Sequence, residues 1–197
     1  MTEHAVRSAG RPRQFAEGDV LDAAVDLFWE RGYRATTTRD LEAALGITQS
    51  SIYNAFGSKR NLLLAAIDRY EARVEEELLG ILSEPGDGLE RVERFLAELG
   101  RWVERTDHRG CLVVNLMATV LDDAVAARVV EYRAKIRVAL AGALESSFDD
   151  TIANCRAEML VAAVLGLHIT ARTGQPGEVE AMLEGIRAEL ALWAATV

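Results

Sequence analysis

Residues 46–60 read GITQSSIYNAFGSKR, from Gly46 to Arg60. Ile47, Ile52 and Phe56 are the large apolar residues of the stretch, and Ile52 and Phe56 recur at helical spacing. Thr48 can cap a short helix and Gly57 can end it. Gln49, Ser50, Ser51, Tyr53 and Asn54 then face away from the apolar side. Just upstream, YRATTTRDLEAALG (33–46) predicts another short helix, Arg39–Leu45. Thr38 is its expected N-cap, Leu41, Ala44 and Leu45 its apolar residues, and Gly46 its end. Two short helices meeting at a glycine turn, the second polar on one face, fit a helix-turn-helix. Ile47, Ile52 and Phe56 are expected to bury against the first helix and against Leu27 and Phe28.

A helix of this width fits the DNA major groove with its N-terminal residues at base edges. Gln49 and Asn54 can bond adenine in bidentate fashion, and serines such as Ser50 and Ser51 can bond several bases. Tyr53, Lys59 and the hydroxyls of Thr37 and Thr38 suit phosphate oxygens, as does the helix N-terminus at Ser58. With the cap Thr48, these residues form the expected DNA-binding set.

The remaining sequence predicts an all-α protein. The chain has 197 residues, half of them hydrophobic, with only three prolines. Ala, Leu, Glu and Arg, all good helix formers, are abundant. No run of 18 or more residues is both apolar and uncharged, so no transmembrane helix is expected. MTEHAVRSAGRPRQF lacks the apolar core of a signal peptide. Cys111 and Cys155 lie far apart without metal-ligand spacing, which suits a reducing cytoplasm.

The net charge of −9 argues against nucleic acid until its distribution is read. Residues 1–60 hold eight basic and eight acidic groups, and the remainder holds 14 basic and 23 acidic. All the excess acidity lies in the later part. That asymmetry suggests two jobs, because an acidic body repels DNA except where a local surface overrides it.

Helical patterns divide the chain further. Val20, Leu21, Ala24, Val25, Leu27 and Phe28 mark a first helix starting near Phe15 and stopped by Gly32. Ser58 can cap a long helix running to about Gly80. After the SEPGDG loop, helices are expected near 89–105, in the apolar run from Cys111, at about 123–147 after a cap at Asp122 or Asp123, at 152–172, and at 178–195. This makes about nine helices. Residues 1–58 form an arm and a three-helix DNA-binding domain, and residues 59–197 a larger helical domain, with helix 59–80 linking the two.

The segment GRPRQFAEGDVLDAAVDLFWERGYRATTTRDLEAALGITQSSIYNAFGSKRNLLLAAIDRY resembles the N-terminal domain of the TetR family of transcriptional regulators. It carries G-Y-x-A-T-T-T-x-D-L…L-G-I-T…S-x-Y-x-x-F-x-S-K in order and spacing, over roughly residues 11–70. The resemblance implies phosphate contacts for Thr37 or Thr38, Tyr53 and Lys59. It implies base contacts within Gln49–Ser51 and Asn54, and an arm for the minor groove or backbone at Arg11 and Arg13. Glu42 departs from the small residue common at that position, and Ala16 and Glu17 stand where an acidic cap often opens the first helix.

The same resemblance implies a homodimer on a palindromic double-stranded operator. It also implies a helical body that binds a small-molecule effector, and repression relieved by that effector. Activation, constitutive repression and a carrier with a vestigial head are the alternatives. Phe95, Trp102, Asn115, Met117, Tyr132 and His168 would lie on helices surrounding the pocket. The aromatics and Met117 could equally be core filler, and His168 a core or interface histidine. Asn115 could bond a helix backbone or orient a ligand. Met159, Leu160, Ala163, Val164 and Leu167, with Leu183, Ile186, Leu190 and Trp193, give the last two helices apolar stripes that suit a dimeric four-helix interface. Cys111, opening a helix, could be a thiol sensor. No nucleophile–base set, metal-spaced cluster or glycine-rich phosphate loop is present, so no enzyme, cofactor or metal is expected.

Overall fold

The computed structural model describes residues 17–117, 122–175 and 177–196. Among them are nine α-helices, one 3-10 turn and no strand. The helices are α1 (Glu17–Arg31), α2 (Thr38–Leu45), α3 (Gln49–Phe56), α4 (Lys59–Glu77), α5 (Gly88–Arg105), α6 (Leu112–Met117), α7 (Asp123–Leu144), α8 (Asp150–Thr173) and α9 (Glu178–Ala194). Phe15, Ala16 and the proposed arm with Arg11 and Arg13 lie outside the described residues, as do 118–121.

Side-chain caps start most of these helices. Thr48, Ser58, Asp87, Asp122 and Asp149 each accept a bond from a backbone N–H one to three residues into the helix they open. The cap of α2 is Thr37 rather than Thr38, which is the first helical residue. Asp40, three residues after Thr37, closes a reciprocal capping box that Thr38 could not make. Gly46 ends α2 at φ 66°, a left-handed geometry that glycine adopts at no steric cost.

Some element ends differ from expectation. The long linking helix leaves α geometry at Leu78 (φ −124°) and continues as a 3-10 turn, Leu79–Ser83, that buries Leu79 and Leu82. α7 stops at Leu144, and α8 begins at Asp150 because Asp149 caps it. Ala44 is exposed instead of packed.

α1, α2 and α3 form the head, closed by Val20, Leu27, Phe28, Leu41, Leu45 and Ile52, all buried. Ile47 and Phe56 pack against that core while partly exposed. α4 packs along α1 and also touches α3 and α6. Its residues Leu62, Leu63, Ala66, Ile67 and Tyr70 are wholly buried. The body is built by α5 to α9, with α7 against α8, α5 against α7 and α9, and α8 against α9. By length and composition α8 could cross a membrane, but it carries Arg156 and Glu158 mid-span, and Ala153, Ala157, Leu160, Val161, Val164 and Leu167 are buried in the body.

Where head and body meet, Trp29 of α1 stands edge-on to Tyr70 of α4, ring centres 5.0 Å apart. Trp102 of α5 and Tyr132 of α7 lie 6.3 and 6.5 Å from Tyr70. Offset and edge contacts at such distances are favourable beyond simple burial.

Candidate nucleic-acid interface

The head holds its outer face with bonds that are almost all local. The Thr37 hydroxyl donates to Asp40 Oδ2 at 2.6 Å, and the Thr37 N–H donates to the same oxygen at 2.8 Å. These bonds, with Arg31 2.7 Å from the other carboxylate oxygen, hold the Asp40 carboxyl below the usual carboxylate range. α2 is thereby fixed at its start and braced against the end of α1.

α3 contains no charged residue. Only Ile52 is deeply buried, and it anchors the helix to the head core. Gln49, Ser50, Ser51, Tyr53 and Asn54 are exposed, as expected, in one continuous polar surface. The Thr48 hydroxyl lies 2.9 Å from Ser50 Oγ and 3.0 Å from Ser51 Oγ, so the two serines turn back toward the cap. Glu42 reaches across from α2, and its Oε1 accepts the Gln49 N–H at 2.6 Å. That carboxylate sits at the positive end of the α3 dipole, where it is stabilising. The departure noted in the sequence is thus a tie between the two helices.

Lys59 has a task that the sequence did not reveal. Its ammonium donates to the Thr36 carbonyl and lies 4.4 Å from the centre of the Tyr33 ring. Burial lowers its pKa from the ordinary lysine value, with Asp40 opposing that shift. An ammonium carries three donors, so this tie leaves others for an external oxygen. Thr37 is exposed and Thr38 half-buried. Next along α4, Arg60 makes a two-pronged pair with Asp122, at 2.6 and 3.0 Å. This joins the start of α4 to the cap of α7.

The six candidate pocket residues are not brought to one cavity. Phe95, Trp102, Tyr132 and His168 are buried in the packed body. Met117 is exposed, and Asn115 lies beside it on a groove between α1, α6 and α8. The resemblance grouped them by the helices that carry them, and helical spacing places core and pocket residues alike on the inner face of such helices. Asn115 Nδ2 donates to the Arg109 carbonyl at 2.9 Å, so it does bond backbone. Cys111 is fully buried near the Tyr70 and Tyr132 hydroxyls, and burial raises its thiol pKa. That is the reverse of the activation a sensor thiol needs. Among the described residues, no group of three or more His, Cys, Asp or Glu could hold a metal ion.

Sequence reasoning passed over Trp29 and Arg109. The Arg109 guanidinium lies over the Trp29 ring at 4.6 Å and bonds Asp26 of α1 at 3.1 Å. Its carbonyl accepts from Trp29 Nε1, Asn115 Nδ2 and Arg172 Nη1, at 3.2, 2.9 and 3.3 Å. The α5–α6 loop that presents it has Asp107, His108 and Gly110 at positive φ. A side chain on Gly110 would meet the His168 carbonyl at 2.6 Å, so glycine is required there.

Comparison with known proteins agrees with this geometry. Residues 20–66 match the family described as bacterial regulatory proteins, tetR family. The transcriptional repressor ComR of Escherichia coli is 31% identical over 124 residues, 62% of this chain and 59% of that protein. The repressor BdcR of the same organism is 31% identical over 116 residues, 58% of this chain and 59% of that protein. The chain therefore spans less than two thirds of these curated relatives. Similarity to solved structures runs further. A cysteine-substituted form of the TetR family regulator CifR, complexed with 26-base-pair operator DNA, is 27% identical with a TM-score of 0.78, covering 93% of this chain and all of that one. A TetR-like regulator from Rhodococcus is 28% identical with a TM-score of 0.71, covering 94% and 98%. With the signature on α1 to α4 and the same all-helical architecture beyond it, residues 20–66 form an N-terminal domain of the tetR family of bacterial regulatory proteins, and the whole chain is similar in fold to its solved members.

Proposed function

We propose that the protein is a transcriptional repressor that binds a palindromic double-stranded operator as a homodimer and is released by a small-molecule effector. The observation that carries this reading is α3, an uncharged, capped helix anchored by Ile52 with its polar residues exposed. Gln49, Ser50, Ser51 and Asn54 read base edges in the major groove. Thr37, Thr38, Thr48, Tyr53 and Lys59 set the register on phosphates. The relative CifR, solved on operator DNA, supports the same docking. Residues 1–58 form the DNA-binding unit and 59–197 the regulatory unit, and the protein works in the cytoplasm, where its DNA is.

The dimer forms through α8 and α9. Leu160, Val164, Leu167, Leu183, Leu190 and Trp193 are consumed within the chain. Met159 and Leu192 remain exposed, and a shallow depression between Met159, Ala163, Met182, Gly185 and Ile186 offers a seat for a second copy. Two heads on one two-fold axis read half-sites about 34 Å or somewhat more apart. An effector that changes the spacing of the heads removes the bivalent advantage. Near-complete release requires the effector to favour the incompetent state by roughly 5 kcal/mol.

Fluorescence anisotropy on the chain's own upstream DNA, against a scrambled duplex at two salt concentrations, tests the reading. Tight, selective, salt-sensitive binding is expected. A Gln49→Ala, Asn54→Ala variant should lose about ten-fold or more on the operator and little on the scrambled duplex. Equal weak binding to both duplexes, and no fragment recovered by selection from random genomic DNA, would remove the operator reading.

A further inference from the structure

The C-terminal turn of α1, residues 114–117 of α6 and the last turns of α8 border a groove of about 550 Å3. That lies within the range of roughly 300–1,000 Å3 of small-molecule sites. Buried Phe28, Trp29 and Leu116 form its floor, and exposed Met117 and Ile169 its walls. Among the described residues, Arg31 and Arg172 are its only charged lining residues, so a chain of net charge −9 presents here an apolar groove lined by arginines and by no carboxylate.

The two arginines differ. Arg31 is paired with Asp40 at 2.7 Å. Arg172 has no carboxylate partner among the described residues, and its bonds to backbone carbonyls are long, 3.3 Å to Arg109 and 3.5 Å to Trp29. A guanidinium has five donors in a planar fork shaped for a carboxylate. We propose that this groove binds a small amphipathic carboxylate, with its hydrocarbon between Phe28, Met117 and Ile169 and its carboxylate on Arg172.

The site also bears on the head. Trp29, Asn115 and Arg172 all line the groove, and all donate to the Arg109 carbonyl. A carboxylate that draws Arg172 away loosens the node tying α1 to the α5–α6 loop. This consequence for DNA rests on the operator reading, but the binding site itself does not.

Calorimetric titration of the full chain, without DNA, with decanoate, 1-decanol and decylammonium tests the site. Decanoate should bind about ten-fold or more tightly than decanol, and decylammonium most weakly. Arg172→Met should remove the preference for decanoate while leaving decanol binding in place. Ile169→Trp, which fills the groove from an exposed position, should weaken both. Thermal unfolding checks that each variant folds, and Arg172→Lys, which keeps the charge and loses the fork, should give an intermediate preference if Arg172→Met does not. Decanoate binding unchanged in the Arg172 and Ile169 variants places the ligand elsewhere and overturns the proposal. No binding of any probe also overturns it, and a changed oligomeric state in Ile169→Trp would then assign the groove to a second copy of the chain.

Discussion

Thr37 and Tyr70 each carry a hydroxyl, and the protein treats the two in opposite ways. Thr37, exposed on the head, exchanges bonds with Asp40 three residues on. Tyr70, wholly buried between head and body, has a hydroxyl with no hydrogen-bond partner. The contrast extends to their surroundings. Thr48 and Ser58 also bond within three residues. In α4 and the body, Glu71 Oε1, Trp102 Nε1 and His168 Nδ1 are buried without partners. The head is therefore shaped by short-range bonding, and the body by the area it buries. An unmet buried polar group costs about 1–3 kcal/mol, and the body carries several.

The largest effect should come from removing burial. Trp102→Ala should lower global stability by about 3–5 kcal/mol in urea unfolding. A loss under about 1 kcal/mol would mean that the aromatic cluster does not hold the body together.

A change of pH should act next, through His168. Burial lowers its pKa from 6.5 to about 4. Between those values the unfolded chain binds more protons than the folded one, so stability is full above about pH 6.5 and falls as pH drops toward 4. The loss is about 3 kcal/mol across the window. Urea titrations at pH 7, 6 and 5 should show the decline, and His168→Phe should flatten it above the range in which carboxylates protonate.

The smallest effects compare the two hydroxyls directly. Thr37→Ala should cost about 1 kcal/mol, seen as faster amide exchange across α2. Tyr70→Phe should be neutral or stabilising by up to about 1 kcal/mol, because it deletes a buried group that bonds nothing. The reverse ranking would undo the distinction between head and body.

The same contrast explains what could be read in advance. The caps at Thr48 and Ser58 involve neighbours in the sequence and are legible there, whereas for α7 the sequence leaves Asp122 and Asp123 as alternatives and the structure selects Asp122. The cap of α2 was misplaced by one residue within Thr36-Thr37-Thr38, although Asp40 at the right distance from Thr37 could have decided it. The exposed set on α3 was legible because a helix of eight residues with one buried isoleucine leaves few arrangements. The body was not. Core and pocket residues share one helical period, so nothing separated Trp102 and Tyr132 from the lining of a cavity. Trp29 was overlooked because α1 is buried on two sides, and only the side toward the head followed the stripe through Phe28. Carbonyl bonds such as those gathered on Arg109 leave no trace in residue order.

One helix has a consequence for inheritance and exchange. α4 starts on the cap Ser58 and within three turns is wholly buried at Leu63, Ile67 and Tyr70. A cut after the head's last short helix would strip α1 of the surface it lies on. Any recombination that transplants this head onto another body, in the laboratory or in evolution, must carry α4 with it as far as Tyr70. The transplantable unit is then longer than the three helices of the head, and a new body must accept Tyr70 and its aromatic neighbours before it can hold a new head.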